Sequence, residues 1–217
     1  MRVVIGLVLA FAILVHGSRF TVAQTAAREQ DAQRCADEGS QGDPDKAIIY
    51  CDRALRNPDE LSLDRLVYSL QWRGFAHLRK TEYASAIADL TQAIRNNPKE
   101  LNLYSIRGGA YLAKGDFEYA LQDYDHAIRL DPNFVPYSKA VALQKKGDSA
   151  AAIQWLGEVI NRHPNDGIAY KTRGDIFKLL DRRADAIADY RKGISLNLQG
   201  AFREQAQVAL RELGAAP

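Results

Sequence analysis

The sequence predicts an all-α fold of stacked helix–turn–helix pairs, and a repeated spacing between Val67 and Phe134 is the main reason. Four marker residues of this stretch recur 34 positions later with unchanged internal spacing. A fixed period of this length is typical of stacked-repeat architectures, in which each unit buries its apolar face only against its neighbours. The first set of markers is Gly74, Ala86, Ala93 and Pro98, and the second set is Gly108, Ala120, Ala127 and Pro132.

The spacing within one copy predicts two helices that cross closely. Gly74 lies in the first of these helices, and Ala86 and Ala93 lie seven residues apart on one face of the second. Two antiparallel helices approach closely only where small residues meet, so we expect Gly74 to face Ala86, with Leu90 filling the layer behind. Pro98 cannot continue a helix and therefore ends the second one.

These residues resemble the tetratricopeptide repeat, a helix–turn–helix unit with this period and these small and large positions. Tyr111, Tyr124 and Pro132 also fall where that family has its tyrosine, its second-helix aromatic residue and its terminal proline. The resemblance implies a right-handed α-solenoid of stacked pairs, with a concave groove that binds a protein or peptide segment.

Residues 67–200 accommodate four such repeats, and the third of these is shortened by two residues. Pro132 and Pro164 are 32 residues apart instead of 34. We place the deletion near Pro136, which suits a first helical position, so the next helix is short and runs from about Pro136 to Lys146. Residues 201–213 then predict a capping helix with a polar outer face. The apolar positions of this helix are Phe202, Ala206, Ala209, Leu210 and Leu213.

The N-terminal residues 1–23 have the pattern of a secretory signal peptide. Arg2 precedes an uncharged, mainly apolar run from Val3 to Val15, and Ala23 offers a cleavage point. The thirteen residues of this run fall short of the ~20 that a permanent membrane-spanning helix needs. We therefore expect cleavage after Ala23 and a mature chain that is periplasmic or secreted. An uncleaved membrane anchor is the alternative.

The charge balance excludes nucleic acid as a partner. The chain has 29 basic and 27 acidic residues, and removal of residues 1–23 takes away Arg2 and Arg19 and no acid. The mature chain then has no net charge, whereas nucleic-acid binding normally rests on a basic excess that releases counterions.

Residues 28–66 form a divergent first repeat that contains both cysteines. In the repeat alignment Cys35 takes the position of Gly74 and Cys51 that of Leu90, so the two side chains would face each other. Such a pair in an exported chain indicates a disulfide, and this segment resembles exported bacterial tetratricopeptide-repeat proteins with a cysteine pair in their first repeat. Two buried thiols are the alternative. Residues 58–66 exceed the period, so we expect them to lengthen the next helix or its lead-in.

A second row of first-helix residues, offset from the core row, is the candidate partner site. In the tetratricopeptide-repeat family this row lines the concave groove, and here it is apolar and aromatic at first but mixed and partly basic at its end. Gln71 and Phe75 stand where chaperone-binding relatives have the Lys and Asn of a carboxylate clamp, so that clamp is absent. The alternative is that the apolar members pack against residues 61–66 or a folded-back segment. This groove row comprises Tyr68, Gln71, Phe75, Leu78, Leu112, Tyr137, Val141, Gln144, Lys171 and Lys178.

The sequence contains no pattern that indicates catalysis or a cofactor. It has no Gly-rich phosphate loop, no Gly-x-Ser-x-Gly motif and no pair of histidines at metal-ligand spacing. We therefore expect no enzyme activity, no cofactor, no metal site and no small-molecule substrate. Our hypothesis is a non-enzymatic, exported scaffold for protein–protein interaction. The alternative is a membrane-tethered or self-associating structural component of an envelope complex.

Overall fold

The computed structural model describes residues 24–40, 42–196 and 198–216, so the predicted signal peptide lies outside the described residues. Within these ranges the regular elements are helical and no strand occurs, which confirms the predicted all-α fold class. None of the helices in this part of the chain combines the length and apolar character needed to cross a membrane. The helices are α1 (24–40), α2 (Pro44–Ala54), α3 (Leu63–Arg79), α4 (Tyr83–Asn96), α5 (Leu101–Lys114), α6 (Phe117–Leu130), α7 (Tyr137–Lys146), α8 (Ser149–Arg162), α9 (Gly167–Leu179), α10 (Arg183–Ser195) and α11 (Gly200–Glu212).

The chain divides into two compact units, Met1–Ala110 and Tyr111–Pro217, and the boundary falls inside α5. They are called unit 1 and unit 2 here. Helices α1 to α4 belong to unit 1, and helices α6 to α11 belong to unit 2. Each unit consists of helix–turn–helix pairs, as the repeat period predicts.

The first helical pair of unit 1 is joined by the predicted disulfide. The Sγ atoms of Cys35 on α1 and Cys51 on α2 lie 2.08 Å apart, and both residues are fully buried. Helix α2 begins at Pro44, and the Asp43 carboxylate accepts a hydrogen bond of 2.9 Å from the Asp45 backbone N–H. An Asp cap followed by Pro at the first helical position is a typical helix start.

Helices α3 and α4 cross closely at Gly74, as predicted. A Cβ atom added to Gly74 would lie 3.0 Å from Leu90 Cγ and 3.3 Å from the Ala86 carbonyl oxygen. Ala86 and Leu90 are fully buried at this crossing. The surplus residues 58–66 supply a 3-10 turn at Pro58–Glu60 and extend α3 to 17 residues, against 14 in α5.

The turns inside four of the helix pairs, from α3–α4 to α9–α10, share one backbone geometry. Each turn contains one residue with positive φ, and these residues are spaced 34, 32 and 34 positions apart. In each turn the next backbone N–H donates a hydrogen bond of 2.9 Å to the carbonyl five residues earlier. The shortened repeat has the shortest of the repeat helices, α7, with 10 residues from Tyr137 and Pro136 as its cap. The positive-φ residues are Thr81, Gly115, Gly147 and Asp181.

Helix α11 occupies the segment for which a capping helix is predicted, and one of its predicted core residues is exposed. Ala206, Ala209 and Leu210 are buried and Leu213 packs against the same cluster, whereas Phe202 is 46% exposed. Phe202 lies in the first turn of α11, and among the described residues only the α9–α10 pair packs against that helix. The helical period predicts which face a residue occupies, but not how far the neighbouring helix extends.

Candidate functional site

The groove row is divided between the two units, and each part is described separately. Unit 1 contains its first four members on α3, and unit 2 contains Leu112 on α5, three members on α7 and two lysines on α9. Tyr68 is 39% exposed, and the other nine members are half-buried.

An aromatic ladder runs along α3 and contains two groove-row residues. The Tyr68 ring meets the Trp72 ring edge-on at 5.9 Å between centroids, and Trp72 meets Phe75 edge-on at 5.8 Å. Trp72 packs against α1, because a Cβ atom added to Gly39 would lie 2.9 Å from its ring. Edge-to-face contacts of this length are favourable aromatic geometry. Trp72 therefore fixes the orientation of Tyr68 and Phe75, which keep part of their surface available.

Arg73 connects α3 to two neighbouring helices, α2 and α4. Its Nε and Nη2 donate to the two Asp89 carboxylate oxygens on α4 at 2.8 and 2.6 Å, and its Nη1 donates to Asp52 on α2 at 2.7 Å. Burial alone would lower the pKa of the Arg73 guanidinium, but the hydrogen bonds and charges of Asp89 and Asp52 outweigh it and raise that pKa. A bidentate pair of this kind is both strong and geometrically restrictive.

The predicted site did not include the arginines that pair with buried aspartates, and such a pair occurs in both units. In unit 2, Arg173 binds both oxygens of Asp189 at 2.8 and 2.9 Å, in the same bidentate geometry. The signal was available, because an arginine directly precedes Gly74, Gly108 and Gly174.

His77 on α3 takes part in a polar cluster. Its Nδ1 lies 2.6 Å from Glu82 Oε2, and Lys80 Nζ lies 3.2 Å from the other Glu82 oxygen. The hydrogen bond with His77, together with that of Lys80, lowers the pKa of Glu82. In the described residues no three His, Cys, Asp or Glu side chains are grouped so that they could hold a metal ion.

The α7 part of the row is tied into the core of unit 2. Tyr137 packs against the cluster formed by α7, α8 and α9, and its hydroxyl donates a hydrogen bond of 2.5 Å to Asp166 Oδ2. Burial and the adjacent Asp166 raise the pKa of Tyr137. Leu112 packs against a second cluster that includes Ala120 and Tyr124. Tyr137 therefore has a structural role in addition to its predicted place in the groove row.

The two lysines on α9 are neutralised by neighbouring side chains. Lys171 Nζ donates to Asp175 Oδ2 at 2.8 Å and to Gln205 Oε1 on α11 at 2.7 Å. Lys178 forms an ion pair with Glu212 on α11. The end of the row, which reads as partly basic in the sequence, is therefore not a free basic surface.

Comparisons with known proteins identify the repeat. Residues 73–133 match the family model for the tetratricopeptide repeat. No curated protein sequence matches the chain. Among solved structures, the thermophilic tetratricopeptide-repeat protein TTC0263 of Thermus thermophilus superposes with a TM-score of 0.65 at 20% identity, over 85% of this chain and 100% of that chain. MamA residues 41 to the end from Desulfovibrio magneticus RS-1 superposes with a TM-score of 0.65 at 17% identity, over 80% of this chain and 95% of that chain. At these identities the similarity establishes the fold.

Proposed function

We propose that this chain, which contains tetratricopeptide repeats, is a non-enzymatic, exported scaffold that binds a segment of a partner protein through its groove row. Proteins with this fold characteristically bind protein partners, and the repeat gives each first helix one outward row that its own pair does not need for packing. The partner segment would lie against α3 as a helix or an extended chain, with buried aromatic residues as the energetic anchors.

The observation that carries the proposal is the aromatic ladder on α3. Tyr68 and Phe75 are held in fixed orientations by Trp72, while Arg73 fixes the helix itself to Asp52 and Asp89. Side chains that are already ordered lose less entropy on binding, so a rigid aromatic surface binds more tightly than a mobile one of equal area. Tyr68 also keeps 39% of its surface exposed although its ring packs against that of Trp72.

Two features support export. Disulfides persist in oxidising compartments, and the fully buried Cys35–Cys51 pair is in disulfide geometry. Residues 1–23 have the composition of a signal peptide. We expect the intact mass of the mature protein to lack residues 1–23 and to correspond to a chain without free thiols.

Photocrosslinking in the native envelope tests the proposal directly. A photoreactive phenylalanine analogue replaces Tyr68 in the full chain, and in a matched control it replaces Ala88, which is exposed on α4. We expect a defined adduct with a second protein from position 68 and none from position 88. Adduct formation from both positions alike, or from neither, contradicts a binding site on α3. An adduct between two copies of this chain would favour the alternative of self-association.

Once the partner is identified, its Kd allows the contributions of Phe75 and Lys178 to binding to be compared. Truncation of a buried aromatic anchor typically weakens binding by ~2 kcal/mol, so we expect Phe75→Ala to raise Kd about thirtyfold. Lys178→Ala should change Kd little and mainly alter its salt dependence, since Lys178 is already paired with Glu212. The reverse order, with Lys178 dominant and Phe75 silent, would move the site away from α3.

A further inference from the structure

An open groove lies between α9 and the capping helix α11, within unit 2. Its volume is about 850 Å³, within the range of ~300–1,000 Å³ that is usual for ligand sites. Leu179 of α9 and Val208 of α11 line it, and both are exposed, at 67% and 44%. Two apolar side chains of opposite walls, exposed in one concave site, favour an apolar occupant. We call this site the terminal groove.

The cationic side chains of the terminal groove are already occupied. Lys171 is held by Asp175 and Gln205, and Lys178 is held by Glu212. Asp175 is satisfied in turn, because it also accepts a hydrogen bond of 2.9 Å from the Tyr190 hydroxyl. An acidic partner would have to displace these carboxylates before it could use either lysine. The terminal groove is therefore a poor site for an acidic segment.

Glu204 is left as the uncompensated charge of the terminal groove. It lines the groove from α11, it is exposed, and no described residue forms an ion pair with it. The charged side chains around the groove are three carboxylates and two ammonium groups, with two of the three carboxylates used by the lysines. The unpaired carboxylate of the lining is therefore that of Glu204, which lies four residues before Val208 on the same helix. A matching ligand therefore carries a positive charge next to an apolar group.

We propose that the terminal groove binds a partner segment that presents a large apolar side chain next to a lysine or arginine. The apolar side chain lies between Leu179 and Val208, and the cation pairs with Glu204. This inference rests on the proposed function as a protein-binding scaffold, and it assigns a sequence preference to a part of the chain that does not include the α3 anchors.

Three labelled amphipathic peptides test the preference. They carry leucines at positions i, i+3, i+4 and i+7 and differ at one flanking position, which is Lys, Gln or Glu. Binding to the full mature chain is measured by fluorescence anisotropy at low ionic strength. We expect the Lys peptide to bind about threefold more tightly than the Gln peptide, as for one exposed ion pair, and the Glu peptide to bind most weakly.

Variants of the chain assign the effect to the groove. Glu204→Gln should make the three peptides bind alike, whereas Glu158→Gln on α8, which removes an exposed carboxylate elsewhere in unit 2, should preserve their order. Val208→Gln should weaken all three about tenfold, because it removes apolar contact area without adding charge. Val208 is partly exposed and lies in a helix, so the variant is expected to keep the wild-type helicity.

Three results would overturn the inference. They are absence of saturable binding, an order of peptides that does not depend on Glu204, and binding that survives Val208→Gln. If peptide binding is instead lost in Phe75→Ala but unaffected by Val208→Gln, the proposed function stands and the assignment to the terminal groove is wrong. If the α3 crosslinks fail while the Glu204-dependent order holds, the anchors on α3 are wrong and the terminal groove stands.

Discussion

The helix pairs α3–α4 in unit 1 and α9–α10 in unit 2 share the same kind of helix crossing and the same arginine–aspartate bridge. In each pair a glycine allows close crossing, because an added Cβ atom would lie 3.0 Å from Leu90 Cγ at Gly74 and 3.1 Å from the Tyr190 ring at Gly174. In each pair an arginine bridges to a buried aspartate through two hydrogen bonds. These two pairs therefore share the crossing, the bridge and the turn, although they lie in different units.

The two pairs differ in their groove-row residues and in the side chain that packs behind the glycine. The groove row of α3 is uncharged and its two aromatic rings pack against Trp72, while that of α9 carries lysines neutralised by Asp175 and Glu212. The layer behind the glycine also differs, because Leu90 has no ionisable group and Tyr190 has a hydroxyl bonded to Asp175. The comparison teaches that packing positions repeat under the constraint of close crossing, whereas the outward row is free to vary and can carry specificity.

The largest expected effect comes from breaking the shared bridge. Asp189→Ala leaves the Arg173 guanidinium half-buried without its bidentate partner, and we expect it to destabilise the α9–α10 pair by about 3 kcal/mol. Asp89→Ala should be milder, because Arg73 Nη1 keeps its hydrogen bond of 2.7 Å to Asp52. Hydrogen exchange of the amides in each pair measures the difference locally, as repeat arrays lose stability mainly at the damaged unit and its neighbours.

Asp52→Ala is the matched control for the bridge. The Asp52 side chain is 58% exposed, so its ion pair with Arg73 should contribute at most ~1 kcal/mol. Equal losses of protection in Asp89→Ala and Asp189→Ala would show that Asp52 gives Arg73 no support. A loss in Asp52→Ala as large as that in Asp89→Ala would contradict the assignment of the buried carboxylate as the main partner.

The next largest expected effect is that alkaline pH destabilises unit 2 before unit 1. Burial raises the pKa of Tyr124 in unit 2 to about 12, and burial together with Asp175 also raises that of Tyr190. Between pH ~10 and ~12 the unfolded chain loses the Tyr124 proton while the folded chain keeps it, so the free energy of unfolding falls with pH. Two pH units correspond to about 2.7 kcal/mol at the upper end of this window, and nothing is lost below pH ~10.

A titration of tyrosinate absorbance alongside amide exchange in each unit measures this effect. We expect unit 2 to lose protection first and Tyr124 to ionise only as unit 2 opens. Tyr124→Phe should preserve stability at high pH and have a much smaller effect at neutral pH. Ionisation of Tyr124 near pH 10 with full helicity would contradict the burial that the structure gives it.

The helix crossings could be predicted from the sequence because the residues that form them recur. Gly74, Ala86 and Leu90 could be placed at one crossing, since small residues that recur at constant spacing mark the points where two helices approach closely. The repeat alignment likewise brought Cys35 and Cys51 together. The pairing of Lys178 with Glu212 was not predictable in this way, because those residues lie 34 positions apart on different helices and long side chains choose among several rotamers. The exposure of Phe202 depends on how far the neighbouring helix pair extends over α11, which periodicity does not encode.

The smallest effect concerns the turns, and it tests whether their geometry is set by the repeat or by the residue. Thr81 and Asp181 adopt φ values of 62° and 57°, a region that β-branched residues avoid and that Asp tolerates. Thr81→Gly should raise the free energy of unfolding by up to ~1 kcal/mol, because relief of strain exceeds the entropy that glycine adds to the unfolded chain. Asp181→Gly should change the free energy of unfolding far less.

Gly115→Ala and Gly147→Ala are the reverse test. An added Cβ meets no atom within 4 Å at either position, so a loss of ~1 kcal/mol in the free energy of unfolding reports backbone strain alone. Urea midpoints at constant m-value measure all four. If Thr81→Gly is destabilising, the Thr81 side chain makes stabilising contacts that outweigh its strain, and the turn is set by the residue as well as by the repeat.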